Sequence, residues 1–331
     1  MTTPEISVLM SVQNGEAFLD QTARSLSAQT FSSVEFVTVD DASTDGTSRL
    51  LADWARRDPR VRIVRLERGA SNGLAHALNV GLESCRGDLI ARADGDDVYH
   101  PNRLILQHRR MRSDPDLAAL SCGFRRIDEH GCLMGNRPPL VGPEKISFTT
   151  LFQSSLLHPG AMIRAQALSE VGGYDIRYWT AQDSDLWARL VLKGKRLDNL
   201  PDLLVDYRIH RTSLMKKRGP EGVALSRSVP ARMQADYLGG RPEGHDASAV
   251  VALYQGTHLL DRRTLRRGLA GAERIMKAAQ TRETAEVLAY ARTHFLQSLE
   301  RQASWCPRRN QLMRFHLRRA ISQWREPPAV T

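Results

Sequence analysis

Four short apolar, β-rich runs, each followed by a stretch of helical periodicity, fill the first 113 residues of this 331-residue chain. The runs are Ile6–Val12, Val34–Val39, Val61–Arg65 and Asp88–Ala93. Between them, Phe18–Gln29 places Leu19, Ala23 and Leu26 on one helical face. A second helix runs to about Arg57 and stops at Asp58-Pro59. Asn72–Leu82 gives a turn and a third helix, and Pro101 opens a fourth where a missing N–H costs little. Strands joined through helices by short links pair in parallel. The pattern therefore predicts a doubly wound α/β sheet. Right-handed crossovers put every strand's carboxyl end on one edge, where ligands of such sheets bind.

Two turns expected on that edge are acidic. The fourth strand ends in Asp94-Gly95-Asp96-Asp97, three carboxylates within four residues, and the second ends in Asp40-Asp41. Carboxylates this close repel unless a cation sits among them. A hard divalent ion, which takes oxygen ligands and bridges protein carboxylates to phosphate, is the simplest such cation. Taken alone, the stretch also reads as a solvated acidic turn. Three roles are open to Asp97: metal ligand, support for Asp96, or cap of the next helix. Asp45 or Thr44 is placed to cap the second helix.

After Asp114-Pro115 the alternation changes. Leu117–Ile127 and Cys132–Met134 read as a strand pair turning at Glu129-His130-Gly131. Glu144–Phe152 reads as a helix, His158–Arg164 as a strand, Gln182–Leu192 as a helix stopped by Gly194, and Leu203–Ile209 as a strand. Beyond Arg211, Gly and Pro punctuate a linker-like stretch, and about Ala247 to Trp324 has helical texture with almost no β signal. The formal net charge of +10 is unevenly placed: from Tyr207 onward there are 23 Lys and Arg against 10 Asp and Glu. Arg262-Arg263, Arg266-Arg267, Arg308-Arg309 and Arg318-Arg319 recur beside Leu, Phe and Trp. They fit solvated helix faces or attachment to an anionic membrane surface. No nucleic-acid recognition module accompanies them, so no nucleic-acid partner is expected. Cys85, Cys122, Cys132 and Cys306 form no Cys-x-x-Cys pair or zinc spacing, so buried free thiols in a reducing compartment are expected. With no signal-peptide pattern and no apolar run near the roughly 20 residues of a membrane span, a cytoplasmic location is expected, with peripheral attachment to the inner membrane face as an option.

Seven fragments in order resemble glycosyltransferase family 2, the inverting nucleotide-sugar transferases of GT-A fold. They are Ser7–Gly15, Val39–Thr47, Asn72-Gly73-Leu74 with Ala77–Gly81, Ala91–Asp97 with Pro101, His158-Pro159-Gly160, Val171–Asp175 and Gln182–Trp187. The resemblance covers about residues 5 to 210. It implies a GT-A catalytic domain over 1–210, a mostly parallel sheet flanked by helices, with a basic helical region over 211–331. It also implies transfer of a sugar from a nucleotide-diphosphate donor, a UDP-sugar by default, to a glycan or lipid-linked acceptor. In that frame Asp41, with Asp40 beside it, meets the nucleotide base and ribose. Asp94-Gly95-Asp96 is the Asp-x-Asp motif holding Mg²⁺ or Mn²⁺ on the diphosphate, with Asp96 the direct ligand and Asp94 its support. Asp183 is the general base on the acceptor hydroxyl, with Asp185 as the rival carboxylate. Arg208 and His210, from Tyr207-Arg208-Ile209-His210, face the substrate. His158 either touches the diphosphate or acceptor, or is a buried hydrogen-bonded histidine; Arg92 is either a phosphate contact or a strand residue. Three positions depart from the family: Gln182 replaces Glu before the base, Ser11 stands where Pro is common, and Gln13 stands where Tyr is frequent. Two other classes share parts of this pattern. A nucleotide-sugar-binding regulatory or scaffold protein without turnover would keep the site. A nucleotidyltransferase is disfavoured, since no Gly-rich phosphate loop with a Lys lies near the first strand.

Overall fold

The first strand, β1 (Ile6–Val12), is buried along its whole length, as an almost wholly apolar run requires at the centre of a sheet covered on both faces. In the computed structural model, residues 3–67, 73–210, 219–240, 242–307 and 310–325 are described. Asn72, Arg211, Arg308 and Arg309, named above, lie outside them. Packing divides the chain into two units: Met1–Ile146 with Ser154–Ser226, and Ser147–Gln153 with Arg227–Thr331.

In the first unit the chain runs α1 (Leu19–Ser27), β2 (Val34–Asp41), α2 (Thr47–Arg57), β3 (Val61–Leu66), α3 (Leu74–Ser84), β4 (Leu89–Asp94), β5 (Val98–Tyr99) and α4 (Arg103–Ser113). It continues through β6 (Leu117–Ile127), β7 (Leu133–Arg137), α5 (Pro143–Thr149, whose last three residues belong to the second unit), β8 (Met162–Arg164), α6 (Ala165–Glu170), α7 (Gln182–Leu192) and β9 (Arg196–Arg208). The strands form one sheet in the order β3-β2-β1-β4-β8-β6-β9-β5, with β7 beside β6. The four expected strands are parallel neighbours. β8 enters antiparallel between β4 and β6. Because the order builds outward from β1 to β2 and β3, then returns to place β4 on the other side, the sheet has a switch point at β1. Register brings Ser11 opposite both Val39 and Asp94, and Val12 opposite Asp40, so both acidic turns leave the same edge.

Side chains alternate across β1. Val8, Met10 and Val12 pack with Leu26, Phe36, Trp54 and Leu104, while Leu9 joins Leu78, Ile90, Trp187 and Leu190 on the other face. Two expected elements differ. His158–Gly160 forms a 3₁₀ turn, and only Met162–Arg164 is strand, because Pro159 has no N–H for a ladder. β9 begins seven residues before the expected Leu203 and runs through Pro201, with the β6–β9 register slipping around Cys122–Phe124.

The second unit is helical: α8 (Pro220–Tyr237, which starts in the first unit), α9 (Ala247–Gln255), α10 (Arg262–Ala279), α11 (Ala285–Trp305) and α12 (Gln311–Arg325). Asp246, Asp261 and Thr284 cap α9, α10 and α11 by accepting the backbone N–H three residues on. Phe152 stacks on Tyr254, whose other neighbours include His294 and Phe295, and Thr149 Oγ1 lies within hydrogen-bond distance of the Tyr254 and Tyr290 hydroxyls. No described helix is long and apolar enough to cross a membrane.

Candidate active site

β4 ends at Asp94, and the chain turns at once through Gly95 and Asp96 to Asp97. Tyr99 locks the turn: its hydroxyl accepts the Asp94 N–H at 2.6 Å and lies 3.2 Å from the Asp94 carbonyl. From α1, the Thr22 hydroxyl sits 3.1 Å from the Gly95 carbonyl and 2.7 Å from that of Asp97. A side chain at Gly95 would come within 3.0 Å of Val12 Cγ2, so the turn lies close against β1. Two buried arginines stand behind it. Arg92 donates to the Leu9 and Ala93 carbonyls and to Asp94, and Arg103 donates to the Arg92 carbonyl at 2.7 Å and lies over the Tyr99 ring. Arg92 is therefore a core strand residue, with no surface to offer a phosphate.

The three carboxylates feel one another. Burial, then Asp96 and Asp94, pushes the Asp97 carboxyl well above the usual carboxylate range. Burial also raises Asp94, against the pull of Arg92, and the charges on Asp96 and Asp183 add to the rise. Asp97 is fully buried; its Oδ1 accepts the Arg208 N–H at 2.8 Å, while Oδ2 meets no donor among the described residues.

Arg208, the last residue of β9, is 2% exposed. Nε donates to the Asp96 carbonyl at 2.8 Å, Nη2 to Gln21 Oε1 at 2.6 Å, and Nη1 to the Asp128 and Glu129 carbonyls. Its guanidinium also lies 4.7 Å from the Phe18 ring centre. The side chain thus ties α1, the acidic turn and the β6–β7 hairpin together. His210, two residues on, places Nε2 2.8 Å from Asp96 Oδ2 and packs on Phe18.

At the end of β2, Asp40 is buried and accepts the Ser43 N–H and the Ser48 hydroxyl, so it shapes the turn. Asp41 is buried beside it, and Gln13 holds its carbonyl with a 2.8 Å bond. Ala42 follows with φ of 54°, in the left-handed region that costs a non-glycine residue about 1–2 kcal/mol. Asn14 lies alongside; its amide oxygen accepts the Thr44 N–H at 2.8 Å. Asp45 accepts the backbone N–H groups of Glu16 and of Thr47, the first residue of α2, whose N-cap position is Gly46, so it supports the helix start from one residue before the cap.

Asp183 stands at the second position of α7, half-buried. Its charge contributes to the raised pKa of Asp94, Tyr174 and Tyr207, so it shares a field with the β4 turn. Asp185 is fully buried on another face, where its Oδ2 accepts from Arg189 at 2.7 Å. Gln182 is buried, and its Oε1 meets no donor among the described residues. His158 is buried with Nε2 2.9 Å from the Tyr174 hydroxyl, and burial with the Arg92 charge pushes its pKa well below the usual range.

The fold thus gathers Asp40, Asp41, Asp94, Asp96, Arg208 and His210 around one edge, with Asp183 coupled to it through charge. Reading residues in line did not single out Thr22, Tyr99 or Arg103. Thr22 had left a trace, a polar side chain inside the apolar stripe of α1. Asp94, Asp96 and Asp97 each bring a carboxylate oxygen within 4.8 Å of the others. All-oxygen donors, mutual repulsion and the orphaned Asp97 Oδ2 suit a hard divalent cation.

The chain matches the model of "Glycosyl transferase family 2" over residues 7–172. The amylovoran biosynthesis glycosyltransferase AmsE of Erwinia amylovora is 33% identical over 241 residues, 71% of this chain and 89% of that one. Among solved structures, S. aureus TarS 1-349 in complex with UDP-GlcNAc aligns at a TM-score of 0.58 and 16% identity, over 95% of this chain and 92% of that one. Mannosyltransferase PcManGT from Pyrobaculum calidifontis, in complex with GDP-Man and Mn2+, aligns at 0.57 and 18%, over 98% and 87%. The two structural likenesses carry the fold, and the family match and the AmsE relationship carry the rest: this chain belongs to glycosyl transferase family 2 and is a glycosyltransferase of GT-A fold.

Proposed function

We propose that this glycosyltransferase moves a sugar from a nucleotide-diphosphate donor, a UDP-sugar by default, to a hydroxyl of a glycan or lipid-linked glycan, with inversion at the anomeric carbon. The observation that carries the proposal is the cluster of Asp94, Asp96 and Asp97, whose carboxylate oxygens lie within 4.8 Å of one another at the sheet edge where Asp40 and Asp41 also stand. Asp41 and the turn shaped by Asp40 receive the base and ribose, since a carboxylate accepts from an imide N–H or a sugar hydroxyl without a metal. Asp96 and Asp94 would hold Mg²⁺ or Mn²⁺, with Asp97 Oδ2 able to complete the set. A bound divalent ion supplies charge stabilisation for the nucleoside diphosphate as it departs. His210 orients the Asp96 carboxylate, and Arg208 fixes the turn through the Asp96 carbonyl and Asp97. Both act at the donor phosphates by setting these groups. Asp183, on the acceptor side, takes the proton of the attacking hydroxyl, a contribution of about 10² to 10⁴ in rate. The complexes of TarS with UDP-GlcNAc and of PcManGT with GDP-Man and Mn2+ support a metal-assisted nucleotide-sugar donor.

Replacing Asp183 with Asn tests the reading. Transfer should fall by about 10² to 10⁴, while stabilisation of the protein by donor and Mn²⁺ persists. Unchanged transfer removes Asp183 as the base, and a product retaining the donor's anomeric configuration by NMR removes the inverting mechanism.

A further inference from the structure

The outer face of α12 carries both exposed apolar side chains and arginines without ion pairs among the described residues. Met313, Leu317, Ala320 and Trp324 turn inward, with Trp324 packing on Phe295 of α11. On the opposite side Leu312 is 51% and Phe315 59% exposed, three residues apart and so neighbours on the helix surface. Arg319 continues that stripe one turn on, and Arg318 flanks it, both exposed. Among the described residues Arg318 and Arg319 form no ion pair, and α12 contains no Asp or Glu. Trp305, 43% exposed, ends α11 just before the short link to α12.

Solvated arginines alone would need no partner, and two exposed apolar side chains alone would need no charge. Their combination matches a surface that is hydrocarbon beneath and negative on top. Leu312 and Phe315 can enter the acyl boundary while the arginine stems extend along it and keep their guanidinium groups among the headgroups. Trp favours the same interfacial depth. A second copy of the chain is a poor occupant, because a two-fold contact would bring the same uncompensated arginines together. We propose that the outer face of α12 is a docking face for an anionic phospholipid bilayer, with the exposed Trp305 at the end of α11 available to the same surface. The inference rests on the helical unit alone and is independent of the chemistry assigned to Asp183.

The test is co-sedimentation of the full chain with phosphatidylcholine vesicles, with and without about one-third phosphatidylglycerol. Binding is expected to the anionic vesicles only and to fall with added salt. Replacing Arg318 and Arg319 together with Gln should weaken it roughly 30-fold. Replacing Leu312 and Phe315 together with Ser should weaken it by roughly tenfold or more. All four positions are exposed, so both variants should keep wild-type helicity and the stabilisation by donor and Mn²⁺ that reports on the other unit. Absence of binding to anionic vesicles, equal binding to neutral ones, or wild-type binding by either folded variant overturns the proposal. Loss of transfer in Asp183→Asn leaves it untouched.

Discussion

His158 lies buried beneath the site with Nε2 on the Tyr174 hydroxyl, where desolvation and the Arg92 charge keep it neutral. Its folded pKa is depressed, whereas the unfolded chain takes up a proton below about 6.5. Stability from this group is therefore complete above about pH 6.5 and is lost as pH falls below it, at up to about 1.4 kcal/mol per pH unit. Denaturant titrations of wild type and His158→Phe at pH 7.5, 6 and 5 should show a shallower decline in the variant; parallel declines would mean that His158 is protonated in the native state. The carboxylates of α7 illustrate how much of such detail is readable in line. Asp185 had a visible partner in Arg189, four residues on, and the structure forms that pair. Nothing local distinguished the sequestered Asp97 from Asp96, because its burial comes from α1 and β9, which are remote in sequence.

At the scale of elements, the acidic turns leave the ends of β2 and β4, and glycines set how closely elements approach. In the helical unit, a Cβ at Gly268 of α10 would lie 2.7 Å from the Ala249 carbonyl of α9. Gly to Ala inside a helix ordinarily gains about 1 kcal/mol of propensity. Here the obstacle is backbone, which cannot step aside as a side chain can, and overpacking of that kind costs about 1–3 kcal/mol. Gly268→Ala should therefore destabilise the protein in urea unfolding, and a gain in midpoint at constant m-value would refute the contact. In the first unit, α7 and its stop at Gly194 were legible to the residue, since an apolar stripe and a residue at φ of 69° are local signals. The amino-terminal part of β9 was not, because Pro201 argues against a strand and only the neighbouring β6 explains its tolerance.

For the whole molecule, the proposed donor site draws on the ends of β2, β4 and β9, so ligand binding should report on the fold itself. A nucleotide sugar with Mn²⁺ at a hundredfold excess over Kd should stabilise the native state by about 2.7 kcal/mol. Asp96→Ala should lose the Mn²⁺-dependent part while keeping a metal-free fold of at least wild-type stability, because one of three repelling carboxylates is gone. Undiminished Mn²⁺ stabilisation in that variant would place the ion elsewhere. The sequence by itself determined the four parallel strands, the edge on which the acidic turns emerge and the helical texture of the second unit. These follow from periodicity, short links and the handedness of crossovers, which are properties of adjacent residues. Only the tertiary structure decided which charges are buried and which meet. Arg208 became the tie between α1, the acidic turn and a hairpin, Arg92 went into the core, and Asp183 came within the field of Asp94, because burial and Coulomb interaction depend on elements far apart in the chain.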